Sequence, residues 1–140
     1  MEQRISLITL GVADVGRSRS FYEALGWKVG TEAGAPEIAF FQLGPMIFSL
    51  WGREQLAEEC GVEDSGIWGG VTLAYNVGAR DEVDDILEQA EAAGGTMAQH
   101  AAEMFWGGYA GTFLDPDGHP WQIAHNPGWP LGENGAVSLG

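Results

Sequence analysis

The segment Gly111–Pro127, GTFLDPDGHPWQIAHNP, contains two apolar runs separated by a strong reverse-turn signal. The turn signal is Asp115–Gly118, DPDG, in which proline and glycine favour the backbone angles of a tight turn. The flanking runs, Tyr109–Leu114 and Pro120–His125, have the length and composition of β-strands. The segment therefore predicts an antiparallel hairpin.

The second strand of this hairpin has one polar side chain in its middle, Gln122. Successive side chains of a strand point to opposite faces, so Trp121 and Ile123 are expected on one face and Gln122 and Ala124 on the other. A polar residue in such a place either caps a neighbouring backbone group or faces a polar pocket. Both alternatives are consistent with the strand pattern alone.

The order of predicted strands and helices along the chain occurs twice. The first third of the chain predicts a strand, a helix that Asp14 caps and Gly26 ends, and three further strands. The strands are expected at Ile5–Val12, from Trp27 onwards, at Ile38–Leu43 and at Met46–Trp51.

The second half of the chain predicts the same order again. A strand comes first, then a helix with Val83, Ile86, Leu87 and Ala90 on its apolar face, and then three strands. These elements are expected at Val71–Val77, Ala79–Ala93, Thr96–Gln99, Tyr109–Leu114 and Pro120–His125.

The chain is therefore expected to be an α+β protein made of two tandem βαβββ modules that form a curled sheet around a cavity. The first module is predicted at residues 1–53 and the second at 69–126. Residues 54–68 are predicted to be a linker with a short helix. Residues 127–140 form a glycine- and proline-containing tail that should run over the surface.

The charge excludes several classes of partner. Six Lys and Arg against twenty Asp and Glu give a net charge of −14, which repels phosphate backbones and anionic membranes. We expect neither nucleic acid nor a membrane as partner.

Other features of the sequence bear on where the protein is located. No run approaches the length of a membrane span, and no signal sequence is expected. The one cysteine, Cys60, forms no intrachain disulfide. A cytoplasmic location is the expectation.

Four segments resemble the vicinal oxygen chelate superfamily, which includes glyoxalases, bleomycin-resistance proteins and extradiol dioxygenases. The segments are LITLGVADVGRSRSFYEALGW, VTLAYNV, LEQAEAAGG and FLDPDGHPWQIAHNP. The resemblance covers nearly the whole chain and implies the two-module fold, but it is specific to no single activity.

The resemblance also implies where a metal would bind in relatives that use one. Their His and Glu ligands correspond to Leu7 and Ser49 in the first module and to Thr72 and Gln122 in the second. Trp51 lies two residues beyond Ser49 and is expected on the same face. Leucine has no donor atom and the other three are neutral, so we predict no metal and no cofactor. Gln122, facing a pocket, would keep the shape of the family's glutamate without its charge.

Three further features of the sequence are the aromatic segment before the hairpin, the histidines and the cysteine. In Glu103–Gly111, EMFWGGYAG, the aromatic residues Phe105, Trp106 and Tyr109 belong either to a lid over a cavity or to an edge strand with a glycine bulge. The three histidines, at 100, 119 and 125, have no metal-ligand spacing, which favours surface or turn roles. Cys60 has acidic neighbours, which disfavour a reactive thiolate.

These observations predict a metal-independent, glyoxalase- or bleomycin-resistance-like protein that binds a small organic molecule in an aromatic cavity. The candidate ligand-binding residues are Gln122, Thr72, Ser49, Trp51, Leu7, Trp106 and Tyr109. The alternative is a metal-dependent, glyoxalase-like lyase or isomerase, or a dioxygenase, with an atypical site. The resemblance further implies a homodimer. The ligand, and whether any reaction occurs, are not predicted.

Overall fold

A computed structural model describes residues 1, 3, 6–31, 37–69 and 71–137 of the chain. The chain divides into two compact units, Met1–Ile67 and Trp68–Gly140, which we call the first and second units. Each unit has the element order βαβββ, and a short helix follows in the first unit. The predicted α+β class and the two βαβββ modules are therefore confirmed.

The first unit has a four-stranded sheet with the strand order β1-β4-β3-β2. Strand β1 is parallel to β4, whereas β3 is antiparallel to β4 and to β2. The elements are β1 (Leu7–Val12), α1 (Val15–Ala24), β2 (Val29–Thr31), β3 (Ile38–Leu43), β4 (Met46–Gly52) and α2 (Arg53–Cys60). The predicted start of β1 at Ile5 lies outside the described residues.

Aromatic side chains form the core of the first unit. Tyr22 of α1 is 1% exposed and its ring centroid lies 5.1 Å from that of Phe48 and 5.3 Å from that of Trp27. Asp14 caps α1 as predicted, because its Oδ1 accepts a hydrogen bond from the backbone N of Arg17 at 2.9 Å. Helix α1 is thereby fixed at its start and packed on one face of the sheet.

The second unit repeats this arrangement with the strand order β5-β8-β7-β6. Strand β5 is parallel to β8, and β7 is antiparallel to both β8 and β6. Its elements are β5 (Leu73–Asn76), α3 (Arg80–Ala92), β6 (Thr96–Glu103), β7 (Tyr109–Leu114) and β8 (Pro120–His125). The predicted apolar face of α3 is confirmed, with Val83, Leu87 and Ala90 buried.

Strand β6 is longer than predicted, since it extends beyond Gln99 to Glu103. The residues after Gln99 are not β-formers, but they pair with β7 across two irregularities in register, so tertiary pairing overrides the local preference. Gly111 of β7 permits the close packing of α3, because a Cβ there would lie 2.6 Å from Leu87 Cδ1.

No described helix has the length and apolar character needed to cross a membrane.

An ion pair links α2 to the segment that follows it. Arg53 donates from Nε and Nη2 to the two carboxylate oxygens of Asp64, at 2.8 and 2.6 Å. This pair, together with the backbone N of Gly66, lowers the pKa of the Asp64 carboxyl from 3.8 to about 2.

The lowered pKa of Asp64 predicts an acid-sensitive contribution to stability. The ionised form is favoured in the folded state, so the contribution is present above pH 3.8 and is lost as the pH falls through about 2. Asp64→Asn should therefore remove part of the pH dependence of unfolding between those values, measured by urea denaturation. Glu63→Gln removes the same charge one residue away and is the control. Equal pH profiles for the two variants would contradict the prediction.

Candidate ligand-binding site in the second unit

The turn between β7 and β8 is built around the carboxylate of Asp115. This side chain is 3% exposed, and its Oδ1 accepts hydrogen bonds from the backbone N of Asp117 and of His119, both at 2.9 Å. Gly118 completes the turn with a φ of 85°, which disfavours any residue with a Cβ. The turn fixes which residue of β8 lies opposite each residue of β7.

This register places Gln122 opposite Thr112 of β7 and, on the other side, next to Ala74 of β5. Trp121 and Ile123 are buried on the helix-facing side of the sheet, and Gln122 lies half-buried on the other side. The alternation predicted for β8 is thus observed.

Gln122 lines a cavity of about 550 Å³, which we call the second-unit cavity. Its walls come from β5, β8, the β6–β7 connection and the start of the C-terminal tail, all within the second unit. The lining residues are Ala74, Asn76, Trp106, Gln122, Ala124, Asn126, Gly128 and Trp129. None of them carries a charge, and the polar side chains among them are neutral amides and tryptophans.

Two side-chain amides in this cavity are available to a ligand. Gln122 and Asn76 are both half-buried, and neither amide has a hydrogen-bond partner among the described residues. The third amide, Asn126, is engaged, because its Oδ1 accepts a hydrogen bond from the backbone N of Gly128 at 3.0 Å. Each free amide offers both donors and an acceptor.

Trp106 is held in place by a close approach to Gly108. A Cβ at Gly108 would lie 1.7 Å from Trp106 Cζ3 and 2.6 Å from the carbonyl oxygen of His125. The six-membered ring of Trp106 therefore lies where any other residue at 108 would place its side chain. Gly108, the second glycine of the predicted aromatic segment, thus permits the ring to lie against the backbone.

Trp129 is a lining residue that the sequence analysis did not single out. The tail was expected to run over the surface, and most of its described residues are exposed, but its start lines the cavity. A turn positions it, since the backbone N of Trp129 donates to the carbonyl oxygen of Asn126 at 3.1 Å. The sequence signal was Asn126-Pro127-Gly128, a turn motif directly before an aromatic residue.

Tyr109, another predicted site residue, lies on the helix-facing side of the sheet and not in this cavity. Its hydroxyl donates to Asp84 Oδ1 at 2.8 Å, and the Arg80 guanidinium lies 5.0 Å from the centre of its ring. Arg80 also pairs with Glu103. The hydrogen bond to Asp84 raises the pKa of the Tyr109 hydroxyl, because it favours the protonated form.

The remaining predicted residues have different local environments within their own units. Thr72 is exposed and precedes β5. In the first unit, Leu7 is 46% exposed at the start of β1, and Trp51 is half-buried in β4. Ser49 is 1% exposed, and its hydroxyl lies 2.6 Å from that of Thr9. Ser49 is therefore occupied by a structural hydrogen bond.

A smaller hollow in the first unit contains none of the predicted site residues. It has a volume of about 400 Å³ and is lined by Gly30, Phe40, Phe41, Gln42 and Ile47. The amide of Gln42 already donates to the carbonyl oxygens of Gly44 and Met46, at 2.6 and 3.1 Å. This hollow therefore offers no amide comparable to Gln122.

The residues at the family's metal positions do not fit a divalent ion. Leu7 has no donor atom, the Ser49 hydroxyl is paired with Thr9, and Gln122 is neutral. Transition metals in proteins are held by imidazole, thiolate or carboxylate groups. Within the described ranges, no three His, Cys, Asp or Glu side chains are grouped so that they could hold an ion.

The chain matches a known protein family and several solved structures. A model of the Glyoxalase/Bleomycin resistance protein/Dioxygenase superfamily matches residues 4–123. The crystal structure of a glyoxalase-related enzyme from Fulvimarina pelagi is 39% identical, with a TM-score of 0.90 over 98% of both chains. A hypothetical protein from S. aureus is 25% identical, with a TM-score of 0.77 over 90% of this chain and 95% of that one.

A lactoylglutathione lyase from Agrobacterium tumefaciens is 19% identical, with a TM-score of 0.65 over 89% of this chain and 95% of that one. At this identity the likeness concerns the fold alone. Among curated proteins, no match was found.

The different environments of Ser49 and Gln122 predict different responses to a carboxylate. Ser49→Glu should lower the free energy of unfolding by about 3–5 kcal/mol, since it buries an uncompensated charge. Gln122→Glu should cost less than about 1 kcal/mol, because its side chain reaches the cavity and stays hydrated. Urea denaturation at neutral pH measures both values.

Ser49→Ala is the control for loss of the hydroxyl alone and should cost about 1 kcal/mol. Similar destabilisation by Ser49→Glu and Gln122→Glu would contradict the assigned environments.

Proposed function

The chain belongs to the glyoxalase/bleomycin resistance protein/dioxygenase superfamily, and we propose that it binds a small organic molecule in the second-unit cavity without a metal ion. The observation that carries the proposal is the Gln122 amide, half-buried on the cavity wall and without a partner among the described residues. Family membership supplies the fold, and the residues of this cavity supply the argument for binding.

The size of the cavity supports binding of a small molecule. Ligand pockets in proteins have volumes of roughly 300–1,000 Å³ and combine apolar walls with a few polar groups that orient the ligand. The second-unit cavity, at about 550 Å³, has two indoles and two alanines as apolar walls and the amides of Asn76 and Gln122 as polar groups. This composition is typical of recognition by shape and hydrogen bonds.

Free amides are costly when a ligand covers them without pairing. A buried donor or acceptor without a partner costs about 1–3 kcal/mol, so a ligand that displaces water from Gln122 and Asn76 must replace those hydrogen bonds. The two amides therefore select for ligands whose polar edge complements them. This selection is a binding function that needs no reaction.

Metal independence is proposed from the residue types at the family's ligand positions. Gln122 stands where metal-binding relatives are expected to have glutamate, and Ser49 is paired with Thr9. Neutral oxygens alone do not offset the loss of hydration of a transition-metal ion.

The second candidate function is a lyase, isomerase or dioxygenase reaction with an atypical metal site. The 39% identity to a protein described as a glyoxalase-related enzyme favours it. Elemental analysis of the purified protein separates the two candidates. About one transition-metal ion per chain that survives chelation would support the second candidate and exclude the first.

Gln122→Leu should weaken ligand binding and leave the melting temperature nearly unchanged. Leucine has a similar volume, and the amide that it replaces stabilises no described neighbour. A library of small neutral compounds should be screened by thermal shift against the wild type and the variant. Compounds that stabilise the wild type should stabilise Gln122→Leu less.

The matched control is Gln89→Leu, the same change at an exposed position on α3 away from the cavity. It should respond to every compound as the wild type does. If Gln122→Leu also responds as the wild type does, Gln122 does not contact the ligand and the proposal fails.

A further inference from the structure

We infer that the ligand of the second-unit cavity contains a neutral, planar ring with an amide-like edge, and that the C-terminal tail forms part of its binding site. This inference rests on the proposed function, because it names the class of ligand for the same cavity. In the bound state the ring packs against the indoles of Trp106 and Trp129, and its edge pairs with Asn76 and Gln122.

The lack of charge on the cavity wall selects a neutral ligand. None of the eight lining residues is ionisable in the neutral pH range, so a desolvated ion would have no counter-charge there. Removing an ion from water without a partner is strongly unfavourable. The net charge of −14 disfavours an anion further.

The two indoles select a planar ring. Trp27 and Trp121 use their rings in the core, where Trp27 contacts Phe48 and Trp121 stacks on Phe113 with an interplanar angle of 5°. Trp106 and Trp129 are 36% and 43% exposed, and neither contacts another aromatic ring among the described residues. The Trp106 ring lies against Gly108, but the exposed surface of both rings is available to a flat ligand, which aromatic contacts favour over a puckered one.

The two free amides select the edge of that ring. Asn76 pairs with Ala124, and Gln122 pairs with Ala74, so both amides lie on the same face of the parallel strands β5 and β8. Each amide presents donors and an acceptor. A ligand edge that also carries a donor next to an acceptor, such as a carboxamide or lactam, can satisfy both.

The tail belongs to the site because it positions Trp129. The turn at Asn126–Trp129 directs the chain along the cavity wall, and a bridge pairs Leu131 with Val137. Trp129 is thus presented by a structured segment.

Four compounds test the ligand class directly. Benzamide, benzoate and benzamidinium have nearly the same planar shape and differ in charge, whereas cyclohexanecarboxamide keeps the amide and loses the planar ring. Binding is measured by NMR titration, with the side-chain amide signals of Asn76 and Gln122 and the indole N–H signals of Trp106 and Trp129 as readouts. Benzamide should bind most tightly and shift all four residues.

Tryptophan variants test the aromatic contact. Trp106→Leu and Trp129→Leu should each weaken benzamide binding by roughly three- to tenfold, the range expected for one aromatic contact. Binding of cyclohexanecarboxamide should change less. The control is Phe105→Leu, because Phe105 is 99% exposed in the same loop and does not line the cavity.

The outcomes separate this inference from the proposed function. If cyclohexanecarboxamide or either charged compound binds at least as tightly as benzamide and shifts Gln122, the proposed function stands and the ligand class is wrong. If Trp129→Leu binds benzamide as the wild type does, the tail is not part of the site. If none of the four compounds shifts Asn76 or Gln122, both the inference and the proposed function are overturned.

Discussion

The carboxylate of Asp115 determines the geometry on which the candidate site depends. By accepting two backbone hydrogen bonds within the turn, it fixes the register of β7 against β8, and β8 in turn pairs with β5. A shift of one residue would exchange the two faces of β8 and direct Gln122 towards α3. Burial of Trp121 and Ile123 opposes the same shift, so packing and turn chemistry favour one arrangement.

The two units use equivalent strand positions differently. In the first unit, Ser49 of β4 lies beside Thr9 of β1, and their hydroxyls are hydrogen-bonded at 2.6 Å. In the second unit, Gln122 of β8 lies beside Ala74 of β5, which offers no polar partner. A short side chain opposite a long amide leaves open space, whereas two small hydroxyl residues close it. The local pairing thus explains why the two hydroxyls of the first unit bond each other, whereas Gln122 has no polar neighbour on β5.

Much of this arrangement follows from local patterns in the sequence. Strand alternation and the DPDG turn predicted on which face of the sheet Gln122 lies, and helical spacing predicted the buried side of α3. Tyr109 pairs with His125 and so lies on the face of the hairpin opposite to Gln122, a consequence of strand register that its local sequence does not show. Trp129 was missed because its position depends on how the tail turns after β8, and the contact of Ser49 with Thr9 depends on non-local strand register.

The resemblance implies a glutamate in metal-binding relatives where this chain has Gln122, and the two side chains favour different ligands. A carboxylate only accepts hydrogen bonds and attracts cations, whereas an amide of nearly the same shape also donates and has no charge. The residues that line this cavity offer no carboxylate to a metal ion or a cationic ligand. A neutral ligand with a complementary edge gains a donor. A difference at one side chain on the same backbone is enough to favour a different class of ligand, which is why fold membership alone does not determine function.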